Sequence, residues 1–94
     1  MAYATTNPPA MVTQRVGTSG GAIWMYNSAD AATAVRAAGY ITNASDLGMK
    51  IGDIVIQSDA TGGTVGHIYQ VNSVTAGGAA DLTDGTAITA TDTD

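Results

Sequence analysis

The apolar residues of this chain fall into short runs of strand length, separated by glycine and small polar residues. That spacing favours a small β-rich body over any long helical one. The strong runs lie at 23–26, 51–56 and 65–74, with a weaker one around Ile88. They are rich in Ile, Val and Tyr, residues that pack well on a pleated surface, and they end in clusters of Gly, Asn, Ser or Asp. In 94 residues there is room for one domain at most. The expected fold is mainly β with one short helix (α+β). A small antiparallel β-barrel or sandwich over 22–94 follows an extended N-terminal arm over 1–21.

The arm is read from its prolines. Asn7-Pro8-Pro9 holds the backbone extended and blocks a helix, and apolar residues are sparse around it. Gly17-Thr-Ser-Gly-Gly21 then reads as a flexible joint. After the strand at 23–26, Ser28 is placed to cap a helix over about 29–38 with Ala31, Ala34, Val35 and Ala38 as its apolar stripe. Gly39 would end that helix and Tyr40 would pack just beyond it. Asn43 to Asp46 resembles a second, single-turn cap closed by Gly48. The runs 51–57 and 65–74 read as an antiparallel hairpin with a long tip, in which Ile54 and Ile56 share one face and Ile51 and Val55 the other. Val65, His67, Tyr69 and Val71 share a face of the second strand. Residues 86–93 suit an edge strand, with Asp92 and Asp94 discouraging edge-to-edge association.

Composition narrows function mainly by what is scarce. The chain has no Cys, no Phe and no Glu, one His, and three basic residues against eight Asp, for a net charge of −5. Phosphate repels such a chain, so neither nucleic acid nor an anionic membrane is an expected partner. Absence of Cys removes disulfides and thiolate metal sites, and no cofactor is implied. A nucleophile triad needs a His beside the nucleophile; His67 sits mid-strand and reads as a structural residue. The Asp residues lie mainly in caps and loops. Asp81-Leu-Thr-Asp84-Gly85 lacks the alternating ligands of a calcium loop, and Gly17 to Gly21 lacks the Lys of a phosphate loop. No catalytic or metal-binding residues are therefore expected, and the chain reads as a non-enzyme. Trp24 with Tyr26 could form an aromatic sugar platform, although a core or subunit contact is the commoner use of such a pair. Much of the apolar 45% is Ala, so the core is thin and association between copies is the available reinforcement. The N-terminus shows no signal sequence, so the product is expected to stay in the cytoplasm of the cell that makes it.

Three blocks carry a resemblance: Trp24-x-Tyr-x-Ser-x-Asp30; residues 39–56, GYITNASDLGMKIGDIVI; and residues 69–78, YQVNSVTAGG. In this order they resemble small virion proteins of tailed bacteriophages, of the head decoration (cement) or head-fibre type. The resemblance spans roughly residues 22–78, and Gly48 and Met49 stand as a small variation between Leu47 and Lys50. It implies a capsid decoration protein on the outer surface of the head, a homo-oligomer and most naturally a homotrimer, with the major capsid protein as partner. In that setting Tyr3, Pro8, Pro9, Met11, Val12, Arg15 and Val16 are the candidates for a capsid-contact arm. Ile23, Trp24, Tyr26, Tyr40, Leu47, Ile54, Ile56, Tyr69 and Val71 are the candidates for the core or the trimer seam. The alternative is a head-fibre or tail module that binds host-surface carbohydrate or receptor through the loops at 58–64 and 77–85.

Overall fold

The computed structural model describes residues 3–17, 21–91 and 93. Six strands form one mixed sheet: β1 (Ala10–Thr13), β2 (Ile23–Asn27), β3 (Ile54–Ser58), β4 (His67–Val74), β5 (Ala80–Leu82) and β6 (Thr86–Ala87). Two single-turn helices, α1 (Ala32–Val35) and α2 (Ala44–Leu47), lie between β2 and β3. The sheet order is β1-β2-β3-β4-β5, with β6 also on β4. The mainly β, α+β class is thus as expected, in an open sheet that does not close into a barrel.

One pair departs from the antiparallel pattern: β2 and β3 run parallel, Ile23 opposite Ile54 through Asn27 opposite Ser58. Parallel neighbours need a crossover of a dozen residues or more. Residues 28–53 supply it and cover one face of the sheet. Val35, Ile41, Ala44 and Met49 come from this crossover. They pack with Trp24 and Tyr26 of β2, Val55 of β3, Tyr69 and Val71 of β4, and Leu82 of β5.

The expected helix over 29–38 is shorter in the structure, Ala32–Val35. Ser28 does not cap it. The Ser28 hydroxyl instead accepts from the backbone N–H of Asp30 at 3.0 Å, and the Ala31 N-cap makes no side-chain bond. An Ala-rich stripe gives so short a helix little area to bury, and a single turn of propensity cannot hold it longer. The second turn ends as expected at Gly48, whose φ of 95° suits a residue without Cβ.

The hairpin also forms as expected, with Ile54 opposite Gln70 and Gln57 opposite His67. Its first strand begins at Ile54, because Ile51 and Gly52 form a turn, with Gly52 at φ 91°. Ile51 is 69% exposed and does not share the buried face of Val55. The C-terminal edge strand is only two residues long, and Asp92 and Asp94 lie outside the described residues, as do 18–20 of the expected joint.

The N-terminal segment lies along the body. Residues 10–13 pair antiparallel with β2, Pro9 is buried, and Tyr3 packs against the core. Its four strand residues are all exposed, so hydrogen bonding and a few discrete contacts hold it rather than burial.

Candidate functional site

The core face of β3 is polar. Asp53, Val55 and Gln57 are all fully buried, while Ile54 and Ile56 point the other way and are half-buried. The inversion is stable because each buried polar group is satisfied, as buried polar groups must be. Gln57 donates from Nε2 to the carbonyls of Ser28 (3.0 Å) and Asp30 (2.8 Å), and its Oε1 accepts from the Tyr69 hydroxyl at 2.6 Å. Burial pushes the Tyr69 hydroxyl up to about 12, the nearby Arg36 guanidinium opposing it. Gln57 therefore ties the start of the crossover to the middle of the sheet.

Asp53 is a second hub. Its carboxylate accepts from the Trp24 indole N–H at 2.9 Å, and from the backbone N–H groups of Ala22 and Lys50, each at 3.1 Å. Arg15 adds a two-pronged ion pair and also donates to the Gly48 carbonyl at 3.2 Å. Burial pushes the Asp53 carboxyl up, but Arg15, Trp24 and the two amides outweigh it and hold the carboxyl below the usual range. Arg15, a candidate for the capsid-contact arm, is thus placed against this chain's own Asp53.

The other end of the segment meets a tyrosine cluster. The rings of Tyr3, Tyr26 and Tyr40 stand 5.7–6.2 Å apart in tilted or edge-on pairs. The Tyr26 hydroxyl bonds that of Tyr40 at 2.9 Å, which donates to Asp30 at 2.5 Å, and Tyr3 donates to Asn43 at 2.6 Å. Burial, Asp30 and Tyr26 all push the Tyr40 hydroxyl well above its ordinary value. Trp24 and Tyr26 are each only 3% exposed, so they belong to the core and offer no platform to a sugar.

The remaining candidates sort by face. Tyr69 and Val71 are core; Tyr40 and Leu47 pack against it. Met11, Val12 and Val16 are exposed, and Pro8 is exposed beside buried Pro9. Ile23, Ile54 and Ile56 lie on the face of the sheet opposite the core. There they are aligned by register: Ile23 beside Ile54, then Met25 beside Ile56 and Ile56 beside Ile68. Met25 and Ile68 are 37% and 41% exposed. With Ile88, Met25 and Ile56 line a groove of about 310 Å³ bounded by Ser58, Asp59 and Thr89. The carboxylate of Asp59 at this rim is turned into its own loop, accepting from the backbone N–H groups of Thr61, Gly62 and Thr64 at 3.0–3.1 Å. These bonds hold it below the usual carboxylate range.

This outer face is the candidate functional surface: five aligned apolar residues on a rigid sheet, none charged. The sequence marked Ile23, Ile54 and Ile56 as candidates for the core or the trimer seam, and alternation alone could not say which face of β3 is buried. His67 stacks on Tyr69, ring centroids 5.7 Å apart, and its Nδ1 lies 3.0 Å from the Val65 carbonyl. Among the described residues there is no group of three His, Cys, Asp or Glu side chains able to hold a metal ion, and no helix long and apolar enough to cross a membrane. No known family, curated protein or solved structure matches this chain.

Proposed function

We propose that this chain is a structural subunit that works in several copies. It is a decoration (cement) protein of a phage-type head, self-associated as a homotrimer and bound to the major capsid protein on the outer surface of the shell. The observation that carries the reading is the uncovered apolar face formed by Ile23, Met25, Ile54, Ile56 and Ile68. An aligned apolar patch on a small acidic domain marks a contact surface. Burying it against another protein releases about 25 cal/mol for each Å² of apolar area removed from water. Acidic loops facing outward suit a position away from packaged DNA. Repeated over many sites on one shell, a modest contact per copy becomes a firm clamp through avidity. The resemblance in residues 22–78 supplies the identity of the shell.

Immuno-electron microscopy with antibody to this chain, on purified tailed-phage particles from its source, tests the proposal. The expected result is regular labelling of the head surface. Labelling of tails alone, or of none of the particles, would overturn it.

A further inference from the structure

We infer that the N-terminal segment is an exchangeable strap: in the assembled protein, residues 3–15 of one copy occupy the edge of β2 on a neighbouring copy. This rests on the reading that copies of the chain meet.

The acceptor site is built without the strap. Asp53 keeps three N–H donors from outside it: Trp24, Ala22 and Lys50. The Tyr26–Tyr40–Asp30 hydroxyl chain likewise closes without Tyr3. What the strap adds is a set of separable contacts. Tyr3 enters the tyrosine cluster and bonds Asn43, and the Asn7 side chain donates to the Asn27 carbonyl at 2.8 Å. β1 pairs with β2, and Arg15 plugs the Asp53 carboxylate. Each can be made equally well by the same segment of another copy. The site also selects its occupant: an extended strand with an aromatic ring at one end and a guanidinium twelve residues on. Arg15 is the only basic side chain among the first 35 residues.

All four β1 residues are exposed, so the apolar contacts of the strap are few and come from Tyr3 and Pro9. A neighbouring copy offers the same contacts, so docking at home and docking next door differ little in free energy, which is the condition for exchange between protomers. With Arg15 docked, seven residues, 16–22, join the strap to β2. Fully extended they span about 24 Å, against a shortest dimension of 21 Å for the molecule.

The absence of native cysteine makes a clean test possible. Ala10 lies opposite Met25 across β1 and β2, within disulfide reach for paired strands. The full-length Ala10→Cys/Met25→Cys variant is oxidised after assembly, and its products are separated without reductant. Thr13→Cys/Ile23→Cys, the pair beyond the irregularity at Met11–Thr13, serves as the second variant. Exchange predicts covalent dimers and larger species as the main products. Copies carrying only Ala10→Cys, refolded together with copies carrying only Met25→Cys, should then cross-link to each other. Cross-links confined within single chains, in protein that light scattering finds oligomeric, would overturn the exchange and leave the association reading standing. Cross-links confined within single chains, with the chain lacking both substitutions also monomeric by light scattering, would overturn both.

Discussion

At the scale of single residues, this fold depends on polar groups set where an apolar core would be expected. Asp53 is the sharpest case: a fully buried carboxylate with three N–H donors and an arginine. Removing it strands the Trp24 indole N–H and the Ala22 and Lys50 amides, so Asp53→Ala should lower unfolding free energy by about 3 kcal/mol in a denaturant titration. The pH dependence has a definite sign. The carboxyl titrates lower in the folded state than in the unfolded chain, where it sits near about 3.9. Below that value the unfolded state binds more protons, so stability is lost as pH falls through the folded-state value. Thermal melts should therefore fall off steeply under pH ~4 in the native chain and less steeply in Asp53→Asn, relative to each protein at neutral pH. Gln57→Leu strands the Ser28 and Asp30 carbonyls and the Tyr69 hydroxyl, and should cost about 2 kcal/mol; Tyr69→Phe removes a single donor and should cost about 1 kcal/mol. Equal effects in those two melts would count against Gln57 as the hub.

At the scale of elements, what the sequence made legible was whatever rests on local pattern. The strand at 23–26, the 54–58 and 67–74 hairpin and the stop at Gly48 all follow from β-branched runs and a left-handed glycine. The faces of β3 were not legible, because the apolar Ile54 and Ile56 point away from the core while Asp53 and Gln57 point in. Apart from Lys50, their partners come from 12 to 38 residues away in the chain, and no local rule brings Arg15 to Asp53 or Tyr69 to Gln57. The same remoteness hid the docking of the N-terminal segment, whose prolines read correctly as extended chain but say nothing of what it lies on. Truncation of residues 1–16 would remove β1, the buried Pro9, Tyr3 and Arg15 together, so it is a structural change as well as the loss of a contact surface. The turn from β5 into β6 is equally tight. Gly85 sits at φ 79°, and a Cβ there would lie 2.8 Å from the Ile68 carbonyl and 2.7 Å from the Tyr69 ring. Gly85→Ala should destabilise by about 2 kcal/mol or more, whereas Gly39→Ala, at φ 86° in open space, should cost about 1 kcal/mol. Comparable melting temperatures for the two variants would argue against that packing.

At the scale of the whole molecule, the sheet has two faces with opposite fates. The crossover covers one and buries Trp24, Tyr26, Val55, Tyr69 and Val71. The other keeps Ile23, Met25, Ile54, Ile56 and Ile68 aligned at the surface of a chain with net charge −5. Self-repulsion among acidic copies makes an uncharged apolar patch the natural point of contact. The most direct test is the solution mass, by light scattering, of the native chain and of Ile56→Lys, with circular dichroism to follow folding. The native chain should be an oligomer, a trimer on the reading proposed here, and Ile56→Lys should be a folded monomer. A native chain that stays monomeric at every concentration, or an Ile56→Lys variant that assembles as the native chain does, would contradict the assignment of this face.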